Sequence, residues 1–353
     1  MASAAQRRIK AISYAKYGYM FIAPFFLVYF FFQLWPLINT FILSFSDYEG
    51  TNIIGMANYK AILFSSETVS DDFTIKARTA KQLHENFISA FGNTVILWVG
   101  NFIPQIALSL SLAVWFTDAN LKIPGTGFFK VVMYLPNIIT AASVAVLFLQ
   151  LCGEAENAPG ALNLLLSKKD SVSEKYDTIK FITGVWQSRG VVMFIQTWMW
   201  FGNTMIMLMS GIQGINPSLF EAASIDGATS GQVFRKITLP LLSPILAYTL
   251  VTSMIGGLQM FDIPYLFHKD PNKVSDNLKT IAVLIYEHFH DSKAPKMGFA
   301  GAESVLLFIV TLILGCIAFY LTRDVDEIAK KKQRKKLAKQ LKQQNKQFGG
   351  LSI

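Results

Sequence analysis

Glu221-Ala222-Ala223-Ser224-Ile225-Asp226-Gly227-Ala228, continued through Phe234, Ile237, Leu239 and Pro240, lies between two long apolar segments. Asn216 is placed to cap a helix whose first residue is Pro217, Ser218 and Glu221 have capping-box spacing, and Gly227 is a natural stop. The result is a short helix of about two turns. Leu219, Phe220, Ala222, Ala223 and Ile225 give that helix an apolar surface, and Thr229 or Ser230 starts a second helix expected to end near Pro240. A short capped helix with exposed apolar side chains needs a groove to receive it.

The flanking segments set the class. The 353 residues are 52% hydrophobic and only 16% charged, a balance that fits neither a disordered chain nor an ordinary soluble domain. Six apolar stretches are long enough to cross a bilayer, at about 17–45, 87–116, 127–151, 191–212, 241–267 and 299–321. Their continuous apolar character excludes a β-barrel, whose strands alternate. The expected fold is therefore an all-α polytopic membrane protein with six transmembrane helices. Residues 1–86 hold the amino terminus, the first span and an outer loop. Residues 87–322 form a core of five spans with the loop 213–240, and 323–353 are a basic tail.

Arg7, Arg8, Lys10 and Lys16 precede the first span, as in a signal peptide, but its apolar run is too long and Gln33, Trp35 and Pro36 stand where a small-residue cleavage site belongs. It reads as a retained anchor. The amino terminus, the Lys122–Lys130 loop, Arg235 with Lys236, and the tail are all net basic, which places both termini and the Glu221 loop in the cytoplasm. The outer loops mix lysines with acids such as Asp71, Asp72, Glu154, Glu156, Asp170 and Asp276, and say little about orientation. Much of the net charge of +9 lies in Lys330–Lys346, which suits a stop signal beside anionic lipid better than nucleic acid, since no base-reading motif accompanies it. Cys152 and Cys316 are too few for a disulfide framework or a metal site and read as packing residues. His84, His268, His288 and His290 fall in outer loops and read as solvated.

The Glu221 loop resembles the EAA loop of the membrane subunits of binding-protein-dependent ABC importers. The match runs through Glu221, Ala222, Ala223, Asp226, Gly227, Ala228, Phe234, Ile237, Leu239 and Pro240. Asn58-Tyr59 after Gly55, Asn93-Thr94, Gly127-Phe128-Phe129 with Leu135-Pro136, Phe261-Asp262 and Gly298-Phe299-Ala300 are similar to positions of the carbohydrate-uptake, maltose-permease-like branch. The resemblance implies the type I ABC importer permease fold. It also implies a second homologous permease subunit, two ATPase subunits that bind ATP and Mg, and an extracytoplasmic sugar-binding protein. Leu219, Phe220, Glu221, Ala222, Ala223, Ile225, Asp226, Gly227 and Ala228 would then form the ATPase-coupling surface. His268-Lys269-Asp270-Pro271 departs from the glycine-rich turn that often follows Phe-Asp in this family, and the loop 153–188 is long.

The chain has no G-x-x-x-x-G-K-[ST] phosphate loop, so it is not expected to hydrolyse nucleotide or to hold a cofactor of its own. Asp262 and Glu303 lie toward span ends, which disfavours an ion-coupled carrier, and no convergent nucleophile, base or metal set suggests an enzyme. On the fourth span Gln196, Trp200 and Asn203 share one helical face, where two amides and an indole suit a sugar. On the fifth, Gln259 and Asp262 are three apart. These five are substrate-path candidates, with hydrogen bonding between helices as the alternative use. A solute other than sugar remains the alternative cargo. Met193, Met199, Met205, Met207 and Met209 read as packing.

Overall fold

The computed structural model of the protein describes residues 4–69, 74–118, 121, 123–168, 175–268, 275–290 and 296–321. Asp71, Asp72, Lys122, Asp170, Lys269, Asp270, Pro271 and the basic tail 323–353 lie outside the described residues.

Among the described residues, five helical stretches are long and apolar enough to cross a membrane: Lys16–Ser44, Ala77–Thr117, Val185–Gln213, Ser230–Leu266 and Met297–Ala318. A bent pair, Thr126–Ile138 with Ala141–Leu151, makes up to six. The first consists of α1 (Ala4–Tyr29), one π-helical turn (Phe30–Leu34) and α2 (Trp35–Ser44). The turn ends two residues before Pro36, and the Trp35 amide donates to Phe30 O, five residues back. A proline ring clashes with the carbonyl four residues earlier and brings no N–H, so a wider turn just ahead of it lets the helix continue.

The same device recurs beyond the Glu221 stretch. α10 (Ser230–Val233) passes through a second π-helical turn, Phe234–Thr238, into α11 (Leu239–Leu258), and the Leu239 amide donates to Phe234 O just ahead of Pro240. The expectation that this helix ends near Pro240 is thereby corrected: the helix is widened there and carries on.

α4 (Ala77–Thr117) also exceeds its expected span of 87–116. Its 41 residues measure about 60 Å, twice the hydrocarbon thickness of a bilayer. The extra turns are held by packing, since Ala80, Leu83 and Phe87 are buried. The third span is not straight. α5 (Thr126–Tyr134) and a tight turn at Leu135–Ile138 meet α6 (Ala141–Leu151) at 94°. Ile139 is extended after Pro136, and Asn137 donates to Met199 O at 3.3 Å.

α12 (Asp262–Leu266) closes the stretch Ser230–Leu266, and between the spans lie α3 (Ala57–Phe64), α7 (Ala161–Leu166), α13 (Ile281–Phe289) and a hairpin that adds two short strands to the helical fold, β1 (Thr68–Val69) antiparallel to β2 (Thr74–Ile75) with Thr68 opposite Ile75. α8 (Val185–Gln213), α9 (Pro217–Ile225) and α14 (Met297–Leu321) complete the chain. Two compact units result. One comprises Met1–Ile96, Ala145–Arg189 and Leu258–Val310, the other Leu97–Val144, Gly190–Gly257 and Thr311–Ile353.

In the first unit, polar side chains hold the outer segments. Asn58 donates to Ser44 O and Ser46 O (3.1 and 2.8 Å), and Tyr59 donates to the Ser44 hydroxyl at 2.7 Å. Arg189 donates to Asn93 Oδ1 (2.6 Å) and Asn277 O, while the Asn93 amide donates to Asp276 O and Lys279 O. Here the sequence reading is overturned for His288, whereas His290 is exposed as expected. His288 is buried on α13 with Nδ1 3.0 Å from Glu303 Oε2, and Glu303, on α14, is fully buried. A polar loop composition could not reveal this, because the burying surface comes from α14 and includes Phe299, whose ring centroid lies 6.4 Å from that of His288. His84 is part-buried against Ile62 O at 2.9 Å. Cys152 is buried, but Cys316 is exposed rather than packed.

In the second unit, Ala113, Met205, Leu208, Met209, Ile212 and Leu242 form a core between α4, α8 and α11. Gly202 touches the Met133 carbonyl and Gly257 meets Trp98, close approaches that leave no room for a Cβ.

Candidate functional site

α9 is built by local rules. Asn216 Oδ1 accepts from the Ser218 amide at 3.1 Å, and Pro217 occupies the first helical position, where a missing N–H costs nothing. At the other end the Gly227 amide donates to Ser224 O (3.1 Å) and Ala228 to Ala223 O (2.9 Å), the paired bonds of a Schellman motif, with Gly227 at φ +71°. The expected Ser218–Glu221 capping box does not form, because Ser218 already lies inside the helix. A capping box forms one helix later instead, where Thr229 and Gln232 exchange bonds.

The residues of α9 divide into two stripes. Pro217, Phe220, Glu221 and Ser224, spaced at three and four, line a cavity of about 400 Å³ together with Val114, Thr117 and Asp118 at the end of α4, Ile212 and Gln213 at the end of α8, Val233 at the end of α10, and Phe234 and Thr238 in the π-helical turn that follows. Leu219, Ala222, Ile225 and Asp226 are exposed on another face, Ile225 by 86%. This corrects the picture of one continuous apolar surface. Phe220 is half-buried and Ala223 buried within this chain, so the outward apolar face is narrower and rests on Leu219, Ala222 and Ile225. Glu221, Asp226 and Gly227 are exposed and Ala228 lines the cavity.

The cavity walls are the ends of α4 and α8 and the start of the α10–α11 helix, so the inner stripe of α9 faces three long helices. The core of Ala113, Met205, Leu208, Met209, Ile212 and Leu242 begins at the same helix ends, and dense packing transmits displacement rather than absorbing it.

Gln196, Trp200 and Asn203 follow one stripe of α8. Gln196 is buried, whereas Trp200 (47%) and Asn203 are exposed. Gln259 and Asp262 do not share a continuous helix as expected: α11 ends at Leu258, Phe261 leaves helical geometry with φ −126°, and Asp262 opens α12. Paired glycines at Gly256-Gly257 and Pro264 weaken helix continuity here, and Thr280 supports the break by donating to Met260 O at 2.7 Å. Gln259 and Asp262 are both exposed.

None of these five side chains makes a hydrogen bond among the described residues. The bonds between helices of the second unit are carried instead by residues that sequence reading passed over. Gln105 donates to Thr204 at 2.8 Å, Ser109 to Phe201 O at 2.7 Å, Thr197 to Asn101 O at 3.1 Å and Trp98 to Ser253 at 3.3 Å. Their only signal was a polar residue inside an apolar run. No cluster of metal-ligating side chains exists among the described residues.

Comparison with known proteins fits this arrangement. The chain is 25% identical over 307 residues to the lactose transport system permease protein LacF of Rhizobium radiobacter, covering 87% of this chain and 94% of that protein. It is 26% identical over 306 residues to the arabinooligosaccharides transport system permease protein AraP of Bacillus subtilis, covering 86% and 88%. Its fold is similar to a chain in the crystal structure of a bacterial ABC transporter involved in the import of the acidic polysaccharide alginate, with a TM-score of 0.72, 23% identity and coverage of 90% of this chain and 99% of that one. Residues 105–326, more than half of the chain and all of α9, match the family of binding-protein-dependent transport system inner membrane components, and the protein belongs to that family.

Proposed function

We propose that this chain is the membrane-spanning permease subunit of an ATP-driven importer of a sugar or oligosaccharide, handed over by an extracytoplasmic solute-binding protein. Energy would come from separate ATPase subunits, and a second, homologous permease would complete the pore. The observation that carries the coupling role is α9: a helix capped at both ends, apolar on its exposed stripe, and seated on the ends of three long helices.

In this mechanism the ATPase subunits grip Leu219, Ala222 and Ile225 in a cleft. Nucleotide-driven closure moves α9 as a rigid lever, and Phe220 and Ser224 push on the ends of α4, α8 and α10. Glu221 and Asp226 flank the gripped stripe and offer carboxylates to basic groups of the ATPase. Gly227 lets the chain turn away immediately after the lever. Both termini and α9 would face the cytoplasm.

Sugar as cargo is supported by relatives named for lactose and arabinooligosaccharides and by the unengaged polar side chains of the spans. Trp200 offers a flat apolar face for a pyranose ring, Asn203 and Gln259 offer amide donors and acceptors, and Asp262 accepts from hydroxyls; Gln196 would act from within the packed face. Gly227→Asp and Glu221→Lys are expected to abolish uptake in intact cells while the protein stays inserted in the membrane. Uptake at the unaltered rate in both variants would refute the coupling role.

A further inference from the structure

α7 is inverted relative to an ordinary surface helix. Its one buried residue is Asn163, whereas Leu164, Leu165 and Leu166 are 51%, 81% and 61% exposed. The orientation is locked. Asn163 Nδ2 donates to Gly153 O and Ile179 O (2.9 and 3.1 Å), and its Oδ1 accepts from the Ile179 amide and the Ser167 hydroxyl, both at 2.8 Å. Turning the leucines inward would break all four bonds and leave a buried amide unpaired.

The same bonds fix the height of α7. Gly153 is two residues past the end of α6, and its carbonyl also accepts from Gly160, the residue before α7, at 3.0 Å. Ile179 is six residues before α8 begins, and the intervening chain is tied to Glu154, which accepts from the amides of Ile182 and Thr183 and from the Thr183 hydroxyl. α8 is a membrane-spanning candidate, and α6 is the second half of the bent pair. α7 is thus held within a few residues of the end of α6 and tied to the segment that leads into α8.

Interfacial chemistry surrounds it. Trp186, 68% exposed in the first turn of α8, carries the Arg189 guanidinium 5.0 Å from its ring centroid, and an amphipathic ring beside a cation suits the headgroup level. On α6, Val146 and Leu147 are themselves exposed at 54% and 47%, so α6 and α7 both present apolar side chains outward.

We propose that α7 is an interfacial foot whose Leu164, Leu165 and Leu166 insert at the boundary between headgroups and acyl chains beside α6 and α8, fixing the depth of the 152–184 segment in the membrane.

The test uses the assembled transporter in lipid nanodiscs. Leu165→Cys, in a Cys316→Ser background that leaves only the buried Cys152, is spin-labelled, and its collision rates with oxygen and with a water-soluble nickel chelate are compared. Val146→Cys is the lipid reference. Lys81→Cys, near the start of the overlong α4, is the aqueous one. The Leu165 label is expected to favour oxygen severalfold over the chelate, as the Val146 label does, and to be unchanged when soluble solute-binding protein is added. A chelate-accessible label like that at Lys81 would overturn the proposal. So would chelate access that is lost only on adding the binding protein, which would assign the leucines to protein docking. Leu166→Cys provides a second, independent reading should the first variant fail to assemble.

Discussion

Gly227 has φ +71° and open space where a Cβ would project, so within this chain a small uncharged substitution there acts through the backbone. Left-handed geometry costs an ordinary residue about 1–2 kcal/mol, and asparagine less than most. Gly227→Asn is therefore expected to keep more uptake than Gly227→Ala at equal expression, measured side by side in the same membranes; equal loss would point to a steric cause. Lys279 makes a second prediction. Burial by itself would lower its ammonium, but the Glu287 carboxylate at 2.9 Å and Asp276 at 3.4 Å more than offset this and raise it above the ordinary 10.5. A cation raised on folding contributes stability that is fully present below the unfolded value and is lost as pH climbs through the folded one. The clamp should hold throughout neutral pH and release only in alkali above 10.5, whereas Lys279→Met should lower the thermal midpoint already at pH 7. At this scale legibility follows sequence distance. Asn216, Pro217 and Gly227 were readable because their partners lie within five residues, while Asn93 bonds across 183 and 186 residues and nothing local announces it.

Under the proposed coupling role, the two stripes of α9 separate grip from seating. Leu219→Ser with Ile225→Ser changes exposed side chains only, so the thermal midpoint of the purified chain should stay put while co-purification of the ATPase falls at least tenfold. Phe220→Ala, on the cavity stripe, should instead destabilise the fold by roughly 1–3 kcal/mol, seen as a lower unfolding midpoint. If the double serine variant retains full ATPase binding, the outward stripe is not the gripped surface. Elements were legible where hydropathy and capping agree, as in the fourth span, expected at 191–212 and found within Val185–Gln213, and in α9. The bend between α5 and α6 was not, since 127–151 is apolar throughout and the turn depends on Pro136 together with a bond from Asn137 to Met199, 62 residues away. The π-helical turns were hidden for a related reason: Pro36 and Pro240 advertise a helix end, and only the backbone pairing to Phe30 and Phe234 shows that widening the turn lets each helix proceed.

For the whole molecule, the outward stripe of α9 and the polar span residues that make no side-chain hydrogen bond among the described residues support the proposed reading of a chain driven by partner subunits. The family and the six-span plan were legible because the Glu221 stretch and the apolar periodicity are both strong and local. The cargo was not, because side chains from separate spans define it and a single helix face offers only part of the set. The most direct measurement is to purify the tagged chain gently from its native membrane and identify by mass spectrometry what accompanies it. A P-loop ATPase and a second multi-span permease should be recovered in amounts comparable to the chain. Repeated recovery of the chain alone, under conditions that keep a control importer intact, would contradict the assignment and put an ion-coupled carrier in its place.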